Sequence, residues 1–291
     1  MLEGLSQYIV TGLTVGATYA MVALGFSIIY NASDVVNFSQ GEFVMTGAMS
    51  AITFVGLGLP MPIAILAAVA VTVIVGILLE KLAIEPAKNA SVVTTIIITI
   101  GASIFLRGLA LVIWGKDIKA LPHFSGEKTI AVAGATILPQ HLWIMFGAGI
   151  TFFVLWYFFE KTILGMAMRA SSYNKKAASL VGINVKKILL VAYALAAALG
   201  AIAGTLIAPI TFMTYNSGVM LGLKGFCAAI LGGMGSSIGA VAGGILLGLI
   251  ESFSSGYISS GYKDAISFFL ILAVLFLHPS GLFGKKDIER V

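Results

Sequence analysis

Charge is what this sequence lacks most. Only 10% of its 291 residues are Asp, Glu, Lys or Arg, against about a quarter in an ordinary soluble domain. Hydrophobic residues make up 59%, and the mean hydropathy of +1.05 is spread along the whole length. That balance excludes a secreted domain, a singly anchored enzyme and a disordered regulator. Cysteine is nearly absent: Cys227 stands alone in an apolar stretch, so one chain can build neither a disulfide framework nor a thiolate metal site. The three histidines, His123, His141 and His278, are scattered, and none lies four residues from another histidine as a zinc helix would require, so no metal is expected. A phosphate-binding G-x-x-x-x-G-K-[ST] loop is missing too. Its nearest approximation, Gly281-Leu-Phe-Gly-Lys285, has the wrong spacing and follows Pro279. No Ser/His/Asp arrangement, haem ligand pair or nucleotide fingerprint appears. The sequence therefore offers no catalytic residue, no cofactor of its own and no sign of a nucleic-acid partner.

What the sequence has is apolar runs. They cover Val10 to Tyr30, Phe43 to Leu59, Ile63 to Leu79, Val92 to Trp114, Leu142 to Phe159, Ile188 to Phe212, Val219 to Leu231, Ile238 to Ile250 and Ala265 to Leu277. A spanning helix needs about 20 apolar residues, and two of these runs look too short to span alone. The expectation is an all-α polytopic membrane protein: about eight transmembrane helices plus broken or re-entrant ones, in a single domain over residues 1–291. The first run has no Lys or Arg before it and exceeds a signal h-region, so it reads as a retained helix.

Of 17 basic residues, 11 cluster in three segments: Lys81 and Lys88; Lys161, Arg169, Lys175, Lys176, Lys186 and Lys187; and Lys285, Lys286 and Arg290. By the positive-inside rule these segments are cytoplasmic. Counting crossings from them puts the N-terminus outside and the C-terminus in the cytoplasm. The same parity makes residues 115–140 an external cap of irregular or short-stranded loop, in which Lys116, Lys119 and Lys128 are balanced by Asp117 and Glu127.

Two interruptions stand out. Asn31 to Glu42 is polar and Leu231 to Gly239 is glycine-rich, and each parts two apolar runs. Paired breaks of this kind point to a transport site at mid-membrane, where irregular backbone survives only against protein or water; ordinary tight connections at the surface would read the same. Ser91, Thr95, Thr99, Ser103 and Arg107 recur every fourth residue, so one helix carries a polar stripe. Either it faces a pathway, or the hydroxyls bond back to their own helix while Arg107 snorkels to the surface. Glu42, Glu80 and Glu251 lie at the ends of apolar runs and read as interfacial or paired groups. The 34 glycines include Gly12/Gly16, Gly239/Gly243 and Gly244/Gly248 in small-xxx-small register, which suits close helix packing.

The segment from Lys161 to Lys187 is too long for a plain connector. Its middle reads as a helix over Asn174 to Leu180, capped by Ser171 or Ser172 and ended by Gly182. Ala177, Ala178 and Val181 make a small apolar patch suited to docking on another protein, although charge alone is equally satisfied by a solvated, topology-setting loop.

Taken together, Asn37-Phe-Ser-Gln-Gly-Glu42, Gly165-Met-Ala-Met-Arg-Ala170, Asn174, Ala177-Ala178, Gly182-Ile183, Leu231-Gly-Gly-Met-Gly-Ser236, Gly243-Gly244, Tyr262-Lys-Asp264 and Pro279-Ser-Gly281 resemble the permeases of branched-chain amino acid ABC transporters, specifically the shorter, LivH-type one. The likeness runs from about Val10 to Gly284. It implies a permease moving apolar amino acids inward across a bacterial or archaeal cytoplasmic membrane; relatives with the same framework carry urea, short amides and sugars. It further implies a second similar permease, two ATP-hydrolysing subunits that hold ATP and Mg, and an external substrate-binding protein. Gly165, Met168, Arg169, Ala170, Asn174, Ala177, Ala178, Gly182 and Ile183 would form the helix that couples to the ATPase. Asn37, Ser39, Gln40, Glu42, Thr95, Thr99, Ser103, Gly232 and Gly233 are the candidate pathway residues. Position 40 is often histidine in relatives and is glutamine here, so it is given no ionisable role. A self-sufficient secondary transporter would instead need a buried charge relay and could dispense with the long cytoplasmic helix.

Overall fold

The computed structural model describes residues 2–87, 90–132, 135–278 and 280–284. Among the positions that mark topology or the family resemblance, Lys88, Pro279, Lys285, Lys286 and Arg290 lie outside the described residues. Helix α1 (Leu2–Ser33) is apolar all round, and such a helix belongs at the centre. Every residue from Gly16 to Ile29 is buried. Around it pack α10 (Ser237–Tyr257), α8 (Val185–Ile207), α9 (Ser217–Gly232) and α5 (Pro139–Lys161). The α1–α10 contact is made by small residues: a Cβ on Gly12 would stand 2.9 Å from the Leu249 Cα, and one on Gly16 2.8 Å from the Ile245 Cα. Without a hydrophobic drive between helices in lipid, this backbone proximity is what holds them together.

A second layer joins α2 (Gln40–Gly56) to α8, with α3 (Met61–Leu79) against both. Gly47, Gly200 and Gly204 let α2 and α8 touch through their backbones at Phe43, Val44, Ala48 and Ala201. A π-helical turn, Glu80–Ile84, ends α3. Helix α4 (Val92–Trp114) sits at the rim on α2, and α11 (Lys263–Leu277) on α10 and α9. The outer helices turn Ile74, Val112, Phe153 and Phe269 outward, the pattern of a surface solvated by lipid.

Among the described residues seven helices are long and apolar enough to span, against about eight expected. Two more apolar helices, α2 and α9, fall short of that length at 17 and 16 residues. Conversely, the run ending at Ile250 is only part of a 21-residue helix. Glu251, Ser252 and Ser254 ended the apolar pattern, yet all three are buried.

The bundle has two distinct ends. At one, the Thr136 N–H donates to Gln7 Oε1 (2.9 Å), and Lys119 bridges Met213. Residues 115–132 and 135–137 lie there, with β1 (Ile130–Val132) and β2 (Ala135–Ile137) paired in antiparallel register. At the other end, Asn31 Nδ2 donates to the Gly235 carbonyl (2.8 Å), Lys186 meets Glu85 (3.1 Å), and the Leu282 N–H meets the Leu231 carbonyl (2.9 Å). The start of α1 and residues 280–284 therefore lie at opposite ends. The described basic residues of the 161–187 segment gather at the second end, with α6 (Ile163–Tyr173) and α7 (Lys175–Leu180).

Candidate translocation site

The break after α1 turns back into the bundle. Asp34 adopts φ 62°, and the Ser33 hydroxyl accepts the Val35 N–H at 3.1 Å. The Asn37 side-chain carbonyl then accepts the Ser39 N–H (3.2 Å) and hydroxyl, making a local polar turn. Helix α2 starts at Gln40, whose side chain lies against Gly25 and donates to the Ala196 carbonyl (3.0 Å). Ala196 is the central residue of the 23-residue α8, so α2 begins at mid-depth. Asn37, Ser39, Gln40 and Glu42 are all at most 1% exposed. The break is thus not a turn confined to the end of the bundle; it returns into the interior.

The polar stripe of α4 meets this turn. Thr99 Oγ1 accepts the Phe38 N–H (3.2 Å), Ser103 Oγ donates to Glu42 Oε1 (2.8 Å), and Arg107 Nε approaches the same oxygen at 3.4 Å. Arg107 does not snorkel away; it turns to the buried carboxylate. Thr95 is apart, donating to its own Ser91 carbonyl at 3.2 Å. The start of α9 closes the site: Gly218 packs against Gly41 and Glu42 Oε2, where any side chain would collide. Between these groups lies a cavity of about 150 Å³ walled by Phe26, Phe38, Ile100, Leu223 and Phe226.

The second break does not mirror the first. Gly232 and Gly233 sit in a tight α9–α10 connection at the basic end, with Gly233 at φ 102° against Gly281 and Gly284. Ser236 Oγ caps α10 by accepting the Gly239 N–H (3.0 Å). These glycines are not brought to the Glu42 cluster.

A buried charge network escaped the sequence reading. Lys224 of α9 pairs with Glu251 of α10 and Asp264 of α11, each at 2.7 Å, and Lys263 stands 3.7 Å from Glu251. The Tyr19 hydroxyl donates to Glu251 from α1 (2.9 Å). Two cations and two anions balance, so the charges can stay in the membrane. Lys224 inside an apolar run, with Glu251 just past the next one, was the available signal.

Helices α6 and α7 form the basic-end hairpin, and its cap differs from expectation. Asn174 Oδ1, not Ser171 or Ser172, accepts the Ala177 N–H (2.9 Å); both serines lie within α6. Gly182 ends the hairpin at φ 88°, a conformation that favours glycine. Gly165, Met168 and Ala178 face the chain's own interior, Gly165 packing on the Phe158 and Phe159 backbone. The Ala177/Ala178/Val181 patch is therefore not one face. Helix α7 exposes Lys176, Ala177, Ser179 and Leu180 (87%), and Val181 (78%) just past its end is exposed too, with Asn174 and Gly182 beside them. Ala170 is exposed and Ile183 half-buried. Arg169 pairs with Glu160, and with Met168 it lines a larger cavity of about 1330 Å³ between α1, α5, α6 and α10. Among the described residues no group of three or more His, Cys, Asp or Glu could hold a metal ion.

A bundle of spanning helices around a mid-membrane polar break, with an amphipathic hairpin at its basic end, is the build of a multi-pass membrane permease. The chain is similar over 95% of its length to PsaBC from Streptococcus pneumoniae, solved in complex with Fab, with a TM-score of 0.50, 14% identity and 92% of that chain covered; this likeness concerns the fold alone. In sequence it is 32% identical to the high-affinity branched-chain amino acid transport system permease protein LivH of Escherichia coli, and 34% identical to the corresponding BraD of Pseudomonas aeruginosa. Each match covers 98% of this chain and 97% of the relative. Residues 8–275 match the model of the branched-chain amino acid transport system permease component, and the chain belongs to that family.

Proposed function

We propose that this chain is half of the membrane gate of an ATP-driven importer and moves branched-chain amino acids inward by alternating access. The basic end, with α6 and α7, is cytoplasmic; the end carrying the 115–140 loop faces outward and receives cargo from an external binding protein. A second, similar permease completes the gate. Two separate subunits bind and hydrolyse ATP with Mg, and α7 is the handle they grip. Energy enters as a difference in ATP affinity between the two gate states, so the chain itself needs no chemistry beyond packing and polarity.

The observation that carries this reading is the mid-depth start of α2. Polar backbone and side chains from Asn37 to Glu42 are buried where a plain scaffold would be apolar, and they face Thr99 and Ser103 of α4. Buried polar groups at an irregular backbone break that also line a cavity are what a route needs. A tagged copy, purified in mild detergent from its native membrane, should bring down a second permease and two ATPase subunits. Vesicles carrying that assembly and the binding protein should take up leucine only with ATP. Purification of the chain alone, with no ATP-dependent uptake by the membranes it came from, would contradict the proposal.

A further inference from the structure

The Glu42 cavity has more order than a packing defect requires. Ser103 and Arg107 both address Glu42 Oε1, which leaves Oε2 buried without a hydrogen-bond partner against Gly218, a wall of the same cavity. Arg107 Nε is likewise buried without a hydrogen bond, and its 3.4 Å approach is long for one. A static strut would close this pair, because each buried, unmade bond is costly. Here an anion and a cation stand side by side with bonding capacity unspent, at one end of an apolar chamber.

We propose that this cavity is the point where the permease holds its cargo, a free apolar α-amino acid bound as a zwitterion. The inference rests on the permease reading above and deepens it. The ammonium group binds the Glu42 carboxylate and the cargo's own carboxylate binds Arg107; both residues line the cavity. Both groups hang from one carbon, so their partners must be neighbours, as Glu42 and Arg107 are. The side chain lies among Phe26, Phe38, Leu223 and Phe226. An apolar cavity of about 150 Å³ holds a benzene-sized group, and the butyl groups of leucine and isoleucine are smaller. Gly218 and Gly222 add no side chain to the wall, and Ser103 holds Glu42 Oε1 in place. Polar side chains would find no partner on those walls.

The test uses the complete complex in proteoliposomes, with one unchanged binding protein so that its selectivity cancels between variants. Wild type comes first: absence of ATP-dependent leucine uptake would sink the permease reading itself. Given wild-type uptake, Leu223→Phe narrows the chamber from a half-exposed position. It should lower leucine uptake relative to valine by about tenfold, the worth of a methylene in a tight pocket. Glu42→Gln should cut leucine uptake by at least about tenfold in a complex that assembles like wild type. An unchanged leucine-to-valine ratio in Leu223→Phe overturns the proposal, whether or not the Glu42 variant assembles. Wild-type uptake by an assembled Glu42→Gln complex overturns it as well.

Discussion

Lys175, the first residue of α7, forms an ion pair with Asp34, the residue that starts the return from the end of α1 to Glu42. The pair ties the basic-end hairpin directly to the polar break. Between Asp34 and Glu42 lie only the local turn at Asn37 and the first turn of α2, so the pair and the buried carboxylate are joined by a short, bonded stretch of chain.

That pair is partly exposed and so contributes at most about 1 kcal/mol to stability. Lys175→Glu should leave thermal stability in detergent nearly unchanged while lowering leucine uptake per ATP hydrolysed. Combining it with Asp34→Lys should restore the ratio. Unaltered coupling in the single variant would remove the pair from the drive train.

Docking should fall on the exposed residues of α7. Leu180→Glu combined with Val181→Glu should leave the permease folded and remove its association with the ATPase subunits, read by co-purification. Ala178→Trp should instead unfold the hairpin locally, since Ala178 is 4% exposed and the space it fills is inside the chain. Normal co-purification of the double Glu variant would move the contact elsewhere.

The Lys224 network is a strut joining α1, α9, α10 and α11. Lys224→Met strands Glu251 with a weaker partner at 3.7 Å and should cost about 3–5 kcal/mol, as loss of one member of a buried ion pair does. Thermal unfolding in detergent should shift down accordingly, and Lys224→Met with Glu251→Gln should recover part of the loss. Equal unfolding temperatures for wild type and Lys224→Met would contradict the strut.

The α2–α8 seam depends on absent side chains. Gly204→Val would drive a side chain into the Val44 carbonyl and the Ala48 backbone. Overpacking of this kind costs about 1–3 kcal/mol or more, and the expected outcome is a lowered folded yield with the start of α2 displaced from Gln40's bond to Ala196. Normal yield and stability would show that the seam has slack.

Much of this architecture was legible from charge and spacing. The four-residue repeat on α4 marked the face that meets Glu42, because a helix returns near the same azimuth every fourth residue. The small-xxx-small pairs marked close helix packing without naming partners: Gly12/Gly16 and Gly244/Gly248 meet between α1 and α10, and Gly239/Gly243 packs on α9. Hydropathy could not show that the Asn31–Glu42 break turns inward while the Leu231–Gly239 break stays at the end, since both merely interrupt apolar runs. Nor could it show Lys224 beside Glu251 and Asp264, because neutralisation by a partner on another helix is a property of the fold. Glu251 ended an apolar run in the sequence and sits inside a helix in the structure for that same reason. The helix over Asn174 to Leu180 was readable, but α6 before it and the outward face were not: Ala178 and Val181 are close in sequence, yet one is buried and the other exposed.

The most direct test of the account is the energy source of uptake. Proteoliposomes holding the chain with its partner permease, ATPase subunits and binding protein should accumulate leucine against a gradient when MgATP is supplied on the ATPase side, and should continue to do so when ionophores abolish every ion gradient. Accumulation by vesicles containing this chain alone, driven by a proton or sodium gradient, would contradict the claim that it is a gate worked by a separate motor.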